Sequence, residues 1–227
     1  MYKKRMNKKN WESAEQVFAA LNDSFPYLVI RNYEDFYNSL LMDNHSDIDL
    51  LCHKKDRKKI IQLLEAEPRL ARDDGIHYKF QVASQQVPLD IRYDGDGYYD
   101  KNWEREMLRS RVLEPRGFYC MNTNEYFWSL LYHALYHKGT ISEEYLSRLE
   151  GLKPELFPAD QSDLERHLSC FMQQHRYYYT IAKDPYLWYH FTDFCERRIR
   201  TYPLYPVYHF AQQCREFIAQ KTVKRKE

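Results

Sequence analysis

Two aspartates, Asp47 and Asp49, stand two residues apart in the run Asn44-His45-Ser46-Asp47-Ile48-Asp49-Leu50-Leu51. Side chains of a β-strand alternate between faces, so a strand here puts both carboxylates on one side, their Cα atoms about 6.7 Å apart, with Ile48 and Leu50 on the other. Two carboxylates leaning to within ~4 Å of each other repel by about 4 kcal/mol at an effective dielectric of about 20. Such a pair must protonate, splay apart or bind a cation. A divalent metal resolves the repulsion most simply, and hard oxygen ligands suit Mg²⁺ or Mn²⁺. Asp-x-Asp is also common in turns and at exposed strand positions, so a second acidic strand matters. Val87-Pro88-Leu89-Asp90-Ile91-Arg92-Tyr93 alternates in the same way, with Leu89 and Ile91 on one face and Asp90 and Arg92 on the other. Asp90 beside Asp47 and Asp49 would complete the acidic set of a metal-assisted phosphoryl or nucleotidyl transfer, the third acid positioning or deprotonating an attacking hydroxyl.

Ser46-Asp47-Ile48-Asp49-Leu50-Leu51, followed by a helical stretch and then by Leu89-Asp90-Ile91, resembles the nucleotidyltransferase-fold superfamily. Its signature is a Gly-Ser turn, an Asp-x-Asp strand and a third Asp on a neighbouring strand. Segments 29–35, 90–99 and 130–138 look like bacterial members associated with surface-polysaccharide gene clusters. The resemblance covers about residues 27 to 138 and departs from the pattern at Arg31-Asn32, which stands where the Gly-Ser turn would lie. It implies catalytic and metal-holding roles for Asp47, Asp49 and Asp90. It also implies phosphate or substrate contacts from Arg31, Asn32, Ser46, Arg92, His133, His137 and Lys138. The implied donor is a nucleoside triphosphate or another phosphorylated compound, and the acceptor a small molecule or glycan. Two other readings stay open: transfer of a phosphocholine-like group, towards which the missing Gly-Ser turn leans, and a catalytically silent binding protein that keeps the acids for structure.

The chain has 227 residues, 44% of them hydrophobic, enough for a sizeable core. A formal charge of +1 gives no general attraction to nucleic acid, and the scattered basic residues argue against a polymerase. The 21 tyrosines read first as packing groups with hydrogen-bonded hydroxyls rather than as base-stacking platforms. Five cysteines, odd in number and without a Cys-x-x-Cys pair, indicate buried free thiols in a reducing compartment. No apolar h-region follows Met1-Tyr2-Lys3-Lys4-Arg5 and no run approaches a membrane span, so a cytoplasmic protein is expected.

These residues need elements to position them, and the pattern predicts an α/β (α+β) fold. A mixed, nucleotidyltransferase-like sheet of about five strands flanked by helices occupies residues 1–121, and an all-helical part occupies 122–227. Helical spacing is expected from Trp11 to Asn22, from Tyr33 to Met42 and from His53 to Glu67. Strands are expected at 27–30, through the Asp-x-Asp run, at 76–83 and 87–93 around a Ser84-Gln85-Gln86 turn, and at 118–121. Lys54, Lys55, Arg57, Lys58 and Lys59 oppose the dipole of their helix. They read as a solvated face or as partners of an anionic substrate. Asp94-Gly95-Asp96-Gly97 is expected to be a turn at the site rim. Beyond it come a helix over 103–108, one capped by Thr123, further helices at 142–149 and 160–179, and a terminal helix at about 205–219. His133 and His137, four apart on the Thr123 helix, read either as packed side chains or, with Lys138, as a phosphate grip. The basic C-terminal end reads as solvated surface, with a phosphorylated acceptor or an anionic membrane surface as alternatives.

Overall fold

The computed structural model describes residues 11–33, 47–70, 73–182 and 198. Outside them lie nearly all of the expected 33–42 helix, Ser46 and the turn before it, the Tyr- and Pro-rich segment from Asp184, and the terminal helix and basic tail. The described chain is a mixed α+β structure built on a seven-stranded sheet. Its strands are β1 (Tyr27–Val29), β2 (Ile48–Cys52), β3 (Glu67–Pro68), β4 (His77–Val82), β5 (Gln85–Tyr93), β6 (Val112–Leu113) and β7 (Tyr119–Cys120). Their order across the sheet is β3-β4-β5-β2-β1-β7-β6. β2 runs parallel to β5 and antiparallel to β1, while β1 runs parallel to β7. The two strands beyond the expected five are β3 and β6, two residues each, too short to show an alternation.

Ile48, Leu50, Cys52, Leu89 and Ile91 project to one face, where they pack under α1 (Ala14–Ser24) and α2 (Arg57–Leu64). α1 buries Ala14, Val17, Phe18 and Leu21, the helical repeat visible in the sequence, and Ser13 caps it by accepting from the Gln16 amide. Leu28, Ile30 and Leu51 face the other way, into a core shared with α3 (Lys101–Arg109), α4 (Thr123–Tyr132), α5 (Glu143–Leu152) and α6 (Gln161–Gln174). β2 is therefore buried at every position. A π-helical turn, His133–Lys138, continues α4 and ends at Gly139 in the left-handed region (φ +81°). Asn122 caps α4, its side chain accepting from the Glu125 amide, and Thr123 is the first helical residue rather than the cap.

The hairpin of β4 and β5 turns at Ala83-Ser84, one residue earlier than its sequence suggests, with Val82 opposite Gln85 and Ala83 at φ +51°. That turn sets the strand register and places His77 opposite Asp90. The helix after β2 begins only at Arg57. Lys54, Lys55, Lys58 and Lys59 are exposed, which corresponds to the solvated-face reading, and Arg57 lies 5.1 Å over the Tyr93 ring.

Candidate active site

Parallel pairing of β2 with β5 sets Asp49 directly beside Asp90. Both side chains lie on the sheet face covered by the helical part, as Leu51 does on the same strand. Asp49 is 2% and Asp90 8% exposed. Arg31, just beyond β1, reaches Asp49 with Nε 3.1 Å from Oδ2. Arg69, just beyond β3, places Nη2 3.1 Å from Asp90 Oδ1 and Nη1 3.9 Å from Asp47 Oδ2. All three predicted acids thus meet in one region, but two arginines are distributed among them. Among the described residues, no group of three or more His, Cys, Asp or Glu side chains is drawn together to hold a metal as it stands.

The charges are strongly perturbed. Burial pushes the Asp90 carboxyl up to about 6, and neighbouring Asp49 adds to the shift against the pull of His77 and Arg69. Burial also raises Asp49, with Arg31 opposing and Asp47 reinforcing. At Arg31 burial works against the charge, but Asp49, followed by Tyr98 and Tyr99, outweighs it and keeps the guanidinium protonated. Both acid shifts favour the protonated carboxyls, and with Arg31 and Arg69 ion-paired among them the acids as they stand do not fit a divalent cation. Arg69 stands between the carboxylates of Asp47 and Asp90, to which the sequence resemblance gives a metal-holding role with Asp49.

Behind Asp49 is a cluster of buried cationic and aromatic groups. The Arg92 guanidinium lies 4.2 Å over the Tyr98 ring and 3.9 Å from Asp96, and Arg31 lies 5.4 Å over the same ring. The Tyr98 hydroxyl is 2.7 Å from His133 Nδ1, which is 3.4 Å from His137 Nδ1. Arg31 Nη1 and His137 Nε2 are buried with no hydrogen-bond partner among the described residues. Burial pushes both histidines well below their usual range, with Arg31 reinforcing the effect, so they are neutral. The rings can therefore hydrogen-bond to a ligand but bring no charge to it. Lys138 is exposed beyond the π-helical turn and contributes no contact inside. Asn32 is exposed in the left-handed region (φ +59°), which asparagine tolerates, and its Oδ1 accepts from Arg148. Of the predicted phosphate-binding residues, then, Arg31, Arg92, His133 and His137 come together. Asn32 and Lys138 do not join them, and Ser46 lies outside the described residues.

Asp94-Gly95-Asp96-Gly97 is a turn, as expected, and it fixes Arg92 and Tyr98. Asp96 accepts from the Tyr98 amide at 2.8 Å, while Glu104 on α3 accepts from the amides of Gly95 and Tyr99. Burial, followed by Asp96, raises Glu104 well above the usual carboxylate range. Gly97 has φ +85°, and a Cβ there would stand 2.1 Å from the Ile181 carbonyl.

Two residues of the site do not stand out in the sequence. His77, opposite Asp90, has Nε2 3.6 Å from Asp90 Oδ2 and Nδ1 2.5 Å from Asp74 Oδ2. Asp74 also accepts from the amides of Ile76 and His77. Burial pushes the Asp74 carboxyl up, but these amides and the His77 ring outweigh it and hold it low. Arg69 is the other. The hairpin register carried the signal for His77, because the correct turn puts it across from Asp90.

No protein-family model matches the sequence, and no curated protein matches it. Solved structures to which the chain is similar include three at low identity. The solution structure of the antibiotic-resistance factor ANT(2'')-Ia is 15% identical, with a TM-score of 0.38, over 71% of this chain and 90% of that one. A crystal structure of ANT(2'')-Ia with adenylyl-2''-tobramycin is 13% identical, with a TM-score of 0.38, over 70% and 94%. An antigenic nucleotidyltransferase-like protein from Paracoccidioides brasiliensis is 13% identical, with a TM-score of 0.41, over 74% and 92%. No helix among the described residues is long and apolar enough to cross a membrane.

Proposed function

We propose that this protein is a transferase that moves a nucleotidyl or phosphoryl group from a phosphorylated donor, such as a nucleoside triphosphate, to a hydroxyl or phosphate of a small-molecule or glycan acceptor. One observation carries the reading. Two buried carboxylates stand in register on neighbouring parallel strands, backed by buried guanidiniums of which Arg31 keeps an Nη1 with no partner among the described residues. Clusters of perturbed titratable groups mark functional sites. In this reading Arg31 and Arg92 supply positive charge to the donor phosphate, and His137 Nε2 donates or accepts one hydrogen bond. Asp90, raised to about 6, accepts the proton of the acceptor hydroxyl. Asp74 orients His77 beside it. The sequence resemblance gives Mg²⁺ or Mn²⁺, held by Asp47, Asp49 and Asp90, the task of neutralising phosphate charge. A cytoplasmic location and a place in bacterial surface-polysaccharide synthesis belong to the same proposal and rest on the sequence resemblance.

Arg69 across Asp47 and Asp90 favours a second reading, a catalytically silent binding protein whose acids are already neutralised. Calorimetric titration of the full chain with each nucleoside triphosphate, with and without Mg²⁺, separates the two. Metal-dependent binding of one nucleotide supports the enzyme, and ligand binding indifferent to metal supports the silent protein. Binding of a phosphocholine donor in place of any nucleotide would reassign the transferred group.

A further inference from the structure

Arg31 and His137 both lie against the Tyr98 ring, and the buried atoms Arg31 Nη1 and His137 Nε2 have no hydrogen-bond partner among the described residues. A buried polar atom left in that way costs its full desolvation until a ligand completes it. An arginine nitrogen can only donate. What His137 Nε2 can do depends on which nitrogen of the neutral ring carries the proton. The ring hydrogen-bonds the Tyr98 backbone, and the Tyr98 amide already donates to Asp96 at 2.8 Å, so the partner is the Tyr98 carbonyl. A carbonyl only accepts, and Nε2 is unpartnered, which places the proton on Nδ1. The next histidine agrees. His133 Nδ1 lies 2.7 Å from the Tyr98 hydroxyl and 3.4 Å from His137 Nδ1, so as a bare nitrogen it faces a donor on each side. His137 Nε2 is therefore a bare acceptor, held 5% exposed in a π-helical turn, an irregularity frequent at functional sites.

The two atoms thus ask a ligand for one acceptor and one donor. A fully ionised phosphate or an internal phosphodiester offers acceptor oxygens alone, and one of them would meet the lone pair of His137 Nε2. A terminal phosphate with one P–O–H answers both, an oxygen accepting from Arg31 and the hydroxyl donating to His137.

We propose that Arg31 and His137 form a subsite for a terminal phosphate group carrying one proton, and that this subsite works without a metal ion. The inference rests on the transferase reading and narrows it: a phosphomonoester, or the last phosphate of a polyphosphate, enters here, and an internal phosphate does not.

The test is calorimetric titration of the full chain with inorganic phosphate and with sulfate, in EDTA, at about pH 5.5, below the second ionisation of a phosphate ester at about 6. Sulfate carries the greater charge but no proton. Phosphate is expected to bind at least a hundredfold more tightly, because a site built around a ligand hydroxyl rejects the analogue lacking it. His137→Gln, whose amide can turn its NH₂ to the ligand, should bring the two anions within tenfold of each other. The wild-type comparison stands by itself should that variant fold poorly. Sulfate binding as tightly as phosphate overturns the proposal and leaves the transferase reading in place. Binding of neither anion overturns it too, and the nucleotide titration, which offers the whole donor, then decides the transferase reading separately.

Discussion

Replacing Asp90 by Asn should change how stability depends on pH, and the structure gives the size of the effect. Asp90 binds its proton more tightly in the folded chain, at about 6, than at its ordinary 3.8, chiefly because it is buried and then because Asp49 lies beside it. A carboxyl raised in this way supports the fold below its unfolded value, and that support is lost as pH rises through the folded value. The full difference corresponds to about 3 kcal/mol. Between pH 4 and pH 7.5 the wild-type protein should lose about 2 to 2.5 kcal/mol from this one group, whereas the Asp90→Asn protein loses none of it. The Arg69 contact at 3.1 Å strengthens as Asp90 ionises, and its pull is already contained in the value of about 6. Urea unfolding of both proteins at half-unit steps from pH 4 to pH 7.5 measures the difference. Expected is a gap that moves in favour of Asp90→Asn by about 2 kcal/mol as pH rises. Two curves that stay parallel would refute the argument that burial beside Asp49 controls this carboxyl.

Asp49→Asn should lower stability by about 3–5 kcal/mol, because Arg31 would be left buried with its charge uncompensated, and thermal unfolding would register it. Relief of acid–acid repulsion, the expectation from the sequence alone, is outweighed there by the lost ion pair. Gly97→Ala should cost about 2–4 kcal/mol, read by the same method, from a positive φ and a clash with the Ile181 carbonyl. Trp103→Phe removes the indole donor that lies 2.6 Å from Glu125 and should cost about 1–3 kcal/mol in chemical denaturation. Among Cys52, Cys120 and Cys170, alkylation mapped by mass spectrometry should label exposed Cys170 first, since burial raises the Cys52 thiol and keeps its reactive thiolate scarce.

The acids were readable because strand alternation is local: Asp49 sits two positions from Leu51 on one face, Ile48 and Leu50 on the other, and a strand carrying Asp90 follows a short helix. Their parallel pairing agreed with that pattern. Arg69 and His77 were not readable, because their approach depends on strand registers set by turns. The sequence suggested Ser84-Gln85-Gln86 for the hairpin, whereas Ala83 adopts the left-handed conformation and closes it one residue earlier. A shift of one residue moves every side chain of a strand to its opposite face. The charge of His133 was also out of reach of spacing, since its neutrality comes from burial beside Arg31, a residue far away along the chain. β3 and β6, two exposed residues each, lack the longer apolar run Phe118-Tyr119-Cys120-Met121 that made the equally short β7 visible.

Because β2 and β5 hold Asp49 against Asp90 through their own parallel ladder, while His77 arrives on the neighbouring hairpin arm and Arg69 just beyond β3, which pairs with that arm, the acid pair and these two companions belong to separable pieces of the chain. A single added residue at Ala83-Ser84 would rotate that arm's side chains away and leave the carboxylate pair untouched. Descendants of this sequence could therefore retune the environment of the acids through loop length alone, a route that point substitutions within the fully enclosed β2 do not offer.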